Sequence, residues 1–313
     1  MNVSLRRALA WHPALMSVAV VMVVCAVVSV VGLLVDPRTV LGAPLWAKPL
    51  KFSVSILLYA VTWAWLIAHL PRWRRLAHRL GTVIALTLLV EQALILWAAA
   101  TGTTSHFNVS SPLHIVVWGV MAVSITVLYL CTFVTSAALF FLRLPTPALT
   151  VAVRLGAVIA LGGIGVAFLM TGPTPTQLTS PDGIVGAHAV GVVDGGPGLP
   201  VLGWSTTGGD YRVAHFVGMH GLQIIPLAAL ALSVLARRVP RLRSDTTQVR
   251  IVVVIALAYA GGTLLLTLQA AAGQSVAHPG GAVPAVAAVI LVAAATAIVL
   301  ALRQRPRTPL PTT

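Results

Sequence analysis

The chain has 313 residues, 58% of them hydrophobic and 8% charged, and a mean hydropathy of +0.97. So little charge cannot clothe a soluble globule, and the repeated apolar runs near twenty residues leave only a polytopic membrane protein. The formal net charge of +14 would point to nucleic acid in a soluble chain, but here the basic residues lie in short stretches between apolar runs, so no nucleic-acid partner is expected.

Arg6 and Arg7 precede a first apolar run over about 14–35, which is long enough to span and has no small-x-small cleavage site before Asp36. It reads as a first membrane helix, not a removed signal. Further runs at about 52–70, 82–101, 115–141, 151–171, 213–235, 251–272 and 283–302 predict an all-α bundle of about eight transmembrane helices in a single domain covering 1–313. If the N-terminus is cytoplasmic, 16 of the 20 Lys and Arg residues fall inside, leaving Arg38, Lys48, Lys51 and Arg212 outside. That bias predicts both termini in the cytoplasm. Cys25 and Cys131 lie in apolar runs with no CxxC spacing, so neither a disulfide framework nor a zinc motif is expected.

The same orientation sorts the polar residues. His106, His114, His188, His215, His220 and His278 fall near the outer face, as do Asp36, Asp182, Asp194 and Asp210, whereas His12, His69, His78 and Asp245 fall inside. The segment DPRTVLGAPLWAKPLKF after the first run contains three prolines and the only two lysines, Lys48 and Lys51. It is expected to lie at the interface or partly re-enter the membrane, with the lysines contacting headgroups, binding an anion or pairing with an outer carboxylate.

The third run carries Glu91 and Gln92 about ten residues, or roughly 15 Å, from its outer end. An ionisable group at that depth must face protein, water or a partner, which makes Glu91 a candidate functional carboxyl. The turn TGTTSHFNVSSPLH follows, with Ser110 or Ser111 before Pro112 suited to start the fourth helix. The fourth and fifth runs are almost without polar signal and read as scaffold. Residues 172–212 form an outer loop dense in Gly and Pro, with Leu, Val and Trp204 among them, so a compact lid is expected instead of a loose linker.

Asp210 is placed to cap the sixth helix. His215 and His220 are five apart, about 140° round a helix, and cannot form an i, i+4 chelate, whereas His220 and Gln223 share a face. Tyr259, Thr263, Thr267 and Gln269 of the seventh run suit interhelical hydrogen bonds. The last run is nearly pure Ala, Val and Leu, followed by a solvated tail.

Three chemistries fit this gathering of polar groups. Metal ligation by His106, His188, His215 and His220 would suit zinc, copper or haem iron, with Glu91, His220 and Asp210 as the residues expected to act in redox or hydrolytic catalysis. Gln92, Gln223, Lys48, Lys51 and His114 would then line the site for a small or lipid-soluble molecule. A hydrolase or transferase would use histidines as acid and base oriented by Asp194 or Asp210. A transporter of a small molecule or ion would use Glu91 as the coupling carboxyl, with the lid as its gate.

The combination Lys48-Pro49-Leu50-Lys51-Phe52, Ser105-His106-Phe107-Asn108, Gly195-Gly196-Pro197-Gly198-Leu199-Pro200 and Gly209-Asp210 followed by His215-Phe216 and His220 resembles a family of uncharacterised bacterial integral membrane proteins. The resemblance covers most of the chain. It implies no activity, only that these segments belong to one outer site.

Overall fold

A computed structural model of the chain describes residues 5–180 and 182–303. Among these residues, seven helices are long and apolar enough to cross a membrane, and a bent pair of helices is so only when its two halves are taken together. In chain order they are α1 (Pro13–Val35), α2 (Ala47–Ala68), α3 (Arg74–Thr101), α4 (Pro112–Ala138), α5 (Pro147–Gly165), the pair α6 (Tyr211–Met219) and α7 (Gly221–Leu235), α8 (Asp245–Ala271) and α9 (Val283–Arg303). The protein is therefore an all-α polytopic membrane bundle. Most of the expected tail lies outside the described residues.

Several starts share one device, a side-chain acceptor at the cap that satisfies an otherwise orphaned N–H of the first turn. His12 accepts from Leu15, Ser111 from His114 and Thr146 from Leu149, and each is followed by a proline at the first helical position. Ser244 caps α8 in the same way.

Two boundaries differ from expectation. The second helix begins at Ala47, not near 52, because Pro49 falls in a first turn whose N–H groups have no helical partner anyway. Lys48 and Lys51 are thus helical residues. Ahead of them, β1 (Thr39–Val40) and β2 (Ala43–Pro44) pair as a small antiparallel hairpin. The third helix begins at Arg74, not near 82, so Arg74, Arg75 and Arg79 ride on its first turns.

The sixth span is interrupted at His220, where α6 and α7 meet at 46°. Pro226, six residues further on, lacks the N–H that would close onto the carbonyl of Leu222 and loosens the start of α7. Gly163 of α5 and Gly218 of α6 let the two backbones touch: a Cβ at Gly163 would lie 2.2 Å from the Gly218 carbonyl carbon.

Helices α1 to α4 share one core with the inward face of α5, built on Leu15, Met22, Trp63, Ile67, Ile84 and Leu139. A second core joins α5, α7 and α8 through Ala152, Ile225 and Val252. The opposite faces carry exposed apolar side chains, such as Val20, Val24, Val27 and Val31 on α1 and Val289, Leu291 and Val292 on α9. In water that would be an aggregating surface, whereas hydrocarbon solvates it. The multi-pass membrane location follows.

Candidate functional site

The Gly/Pro-rich stretch between α5 and α6 is a tied-down cover. Its first part adds to the turn after α3: the Val109 N–H donates to the Gly183 carbonyl and the Val185 N–H to the Phe107 carbonyl, each at 2.7 Å, while Phe107 takes a left-handed φ of +66°. Strand β3 (Ala189–Val190) then pairs with β4 (Gly209–Asp210), which runs directly into α6. Lys51 of α2 donates to the Leu202 carbonyl at 2.7 Å, and Ser275, beyond α8, donates to the Ser205 carbonyl at 3.0 Å. Three parts of the bundle thus hold the cover in place.

Under it, three buried or half-buried carboxylates each have an imidazole or cation against them. The turn after α3 folds back into the bundle, bringing His106 Nε2 to 3.3 Å from Glu91 Oε1. On the other side of the ring, Lys48 Nζ lies 3.1 Å and Ser105 Oγ 3.0 Å from Nδ1. An ammonium can only donate, so Nδ1 accepts and the neutral ring carries its proton on Nε2, facing Glu91. Lys48, His106 and Glu91 therefore form a hydrogen-bonding chain leading from the cover into the membrane. Glu91 is 3% exposed, and its Oε2 has no hydrogen-bond partner among the described residues.

Asp194 Oδ2 accepts from His188 Nδ1 at 2.6 Å, and the same carboxylate accepts the backbone N–H groups of His188 and Ala189. Asp210 caps α6 through the Arg212 N–H, accepts the Ser205 N–H, and pairs with the Arg212 guanidinium at 2.6 Å. Arg212 also donates to the Gly203 carbonyl of the cover.

These groups form one electrostatic neighbourhood. Lys48 lies within range of Glu91, Asp194, Lys51 and Arg212, and Lys51 within range of Asp210 and Arg212. Three cations thus balance three carboxylates, which lowers the desolvation penalty of gathering them at this depth. Burial pushes the His106 imidazole below its ordinary value, Lys48 adding to the effect while Glu91 opposes it. Burial also takes His188 down, to about 4, against the pull of Asp194. Burial alone would raise Asp194, but the His188 and backbone hydrogen bonds outweigh it and hold the carboxyl well below the usual range.

The structure thus brings together Glu91, His106, His188, Asp210, Lys48 and Lys51. It does not bring in the rest. Gln92 turns to Ser53 and the Pro49 carbonyl, and His114 bonds its own cap Ser111. His215 bonds the Gly163 carbonyl at the close helix crossing. His220, at the helix break, lies 3.5 Å from Ser55, and Gln223 donates to Thr62.

The expected ligand set His106, His188, His215 and His220 therefore gains no common centre. Both ring nitrogens of His106 are engaged, and His215 and His220 face separate partners. Among the described residues no three His, Cys, Asp or Glu side chains are placed to hold one metal ion. The expected catalytic trio is likewise dispersed, since Glu91 meets His106, Asp210 is taken up by capping and by Arg212, and His220 lies beside Ser55.

Sequence reasoning missed Arg212, whose two-residue spacing from Asp210 was the available signal, and it took α4 for plain scaffold. Thr132 and Ser136 of α4 in fact line a small cavity with Tyr59 and Trp63. Compared with protein-family models, with curated proteins and with solved structures, the chain matches none.

Proposed function

We propose that the protein is a proton-coupled transporter of a small molecule or ion, with Glu91 as the coupling carboxyl. The observation that carries this reading is the chain Lys48, His106, Glu91: three titratable groups in hydrogen-bonding sequence, ending on a membrane-depth carboxyl with one oxygen unpartnered among the described residues. Such a chain can pass a proton by exchanging donor and acceptor roles at the imidazole, without moving a heavy atom far. The interrupted sixth span supports the same reading, because broken helices are where transporters place irregular backbone beside a pathway. The cover, pinned by Lys51 and Arg212, serves as the outer gate. The charge bias argues for the termini inside and the cover outside, and the resemblance to bacterial membrane proteins for a bacterial cytoplasmic membrane.

Reconstituted into vesicles with a trapped pH-sensitive dye, the protein is expected to move protons when a membrane potential or a gradient of a small solute is imposed. Glu91→Gln, which keeps shape and removes titration, is expected to slow that movement by roughly 100-fold. Vesicles as tight as protein-free ones under every gradient, or a Glu91→Gln variant as fast as the original, would refute the assignment.

A second reading, a membrane-embedded hydrolase or transferase, is favoured by the His188–Asp194 contact. The carboxylate fixes the ring so that Nδ1 donates and Nε2 presents a lone pair, as a general base requires. The same orientation would suit a metal ligand, and His188 is the imidazole on which a zinc, copper or haem reading rests. Solvent-exchange assays with model esters and His188→Ala distinguish this reading from the first, because transport through Glu91 does not require His188 Nε2.

A further inference from the structure

Between α2, α4, α5 and the break in the sixth span lies a cavity of about 10 Å3, lined by Tyr59, Trp63, Thr132, Ser136, Met219 and Gln223 together with apolar neighbours. Trp63 is 1% exposed and Ser136 3%. Yet Trp63 Nε1, Ser136 Oγ and Gln223 Oε1 have no hydrogen-bond partner among the described residues. A donor, a group that can do either, and an acceptor are thus carried by residues that line one small space. Its size is that of about one water molecule.

Membrane depth sharpens the point, because no bulk solvent or headgroup lies beside them, and an unsatisfied polar group in apolar surroundings is costly. Leu222, which also lines the cavity, is the residue whose carbonyl loses its helical donor at Pro226. No charged side chain lines the space, so its occupant is neutral.

The cavity also ends a polar stripe. At spacings of one to four residues, Lys48, Lys51, Ser55, Tyr59, Thr62 and Trp63 descend one side of α2 over roughly 22 Å. Their partners are His106, the Leu202 carbonyl, His220, Thr132 and Gln223 in turn, down to the unpartnered Trp63 Nε1. The stripe therefore runs from beneath the cover, past the helix break, to the cavity.

We propose that this cavity is a binding site for one water molecule, which accepts from Trp63 Nε1, donates to Gln223 Oε1 and bonds Ser136 Oγ, and that it is the deep end of a hydrated seam between α2 and the broken span. The site rests on its own lining and does not depend on Glu91 moving protons.

Radiolytic hydroxyl-radical footprinting of the full chain in lipid nanodiscs tests it, since the radicals form from water where water is bound. Trp63, 1% exposed, and the half-buried Met219 are expected to be oxidised, whereas Met22 and Met121, at 0% and 1% exposure, stay unmodified. Gln223→Leu and the smaller Ser136→Ala are each expected to bring Met219 oxidation down to the level of those two controls and to lower the melting temperature. Trp63 and Met219 as inert as Met22 and Met121 in the unaltered protein would overturn the site. So would a higher melting temperature in Ser136→Ala, which is what removing an unsatisfied hydroxyl from a dry space produces. Footprinting reads occupancy without any transport assay, so its outcome and that of Glu91→Gln are independent.

Discussion

Asp194 does the work of several residues. One carboxylate receives two backbone N–H groups and an imidazole N–H and closes the turn from His188 to Asp194. Asp194→Ala strands three half-buried donors, a loss of about 1–3 kcal/mol for each that water cannot reach, whereas Asp194→Asn keeps one acceptor oxygen. Hydrogen exchange across 187–194 is expected to speed up by at least tenfold in the alanine variant and by less in the asparagine one; unchanged exchange in both would show that the cover is held elsewhere. The neighbouring imidazole makes the same segment sensitive to pH. His188 titrates near 4 when folded and near its ordinary 6.5 when the segment is released, so the released form binds the proton more readily in that interval. Its contribution is present above about 6.5 and is lost as pH falls towards 4, and His106, also lowered, acts in the same direction. Protection of the cover, taken relative to the intrinsic exchange rate at each pH, is therefore expected to fall on acidification through that window, and His188→Gln is expected to flatten the fall.

At the scale of helices, the backbone contact between Gly163 and Gly218 is a test of how the sixth span is placed. Gly163→Ala puts a methyl into the Gly218 backbone, so α5 and α6 must separate, at a cost of roughly 1–3 kcal/mol. Gly162→Ala, one residue away, meets nothing within 4 Å and serves as the control. Melting in detergent is expected to fall for the first and hold or rise for the second, and equal melting would mean that the helices are not in backbone contact. The same region marks the limit of what the sequence could say about elements. Each span was legible as an apolar run near twenty residues, and Ser110 or Ser111 before Pro112 announced the start of α4, because these signals are local. The break at His220 was not, since Gly and Pro are common in membrane helices and HFVGMHGLQIIP is as apolar as an unbroken one. The early start of α2 was hidden for a related reason: proline in a first turn and proline in an interfacial loop look alike.

For the molecule as a whole, polarity along the chain showed that imidazoles and carboxylates gather at one end. It could not show which meets which. His106 finds Glu91 by a short return of the chain, but Lys48 reaches His106 across 58 residues and Ser55 reaches His220 across 165, distances over which no periodicity carries information. A ligand set chosen by side of the membrane alone therefore dissolved once the pairings were fixed, while the Lys48, His106 and Glu91 chain emerged. Sidedness itself rests on the distribution of 16 of 20 basic residues and is open to a direct experiment. Val193 stands 87% exposed on the cover, and Arg241 is exposed in the turn between α7 and α8 at the opposite end. Of the native thiols, Cys131 is buried and Cys25 half-buried within helices, which leaves an introduced cysteine as the reactive one towards a water-borne, membrane-impermeant maleimide. Val193→Cys is expected to label in intact cells, and Arg241→Cys only after the membrane is opened. The opposite pattern would put the cover in the cytoplasm and reverse the direction in which the Lys48, His106 and Glu91 chain could feed protons into the bundle.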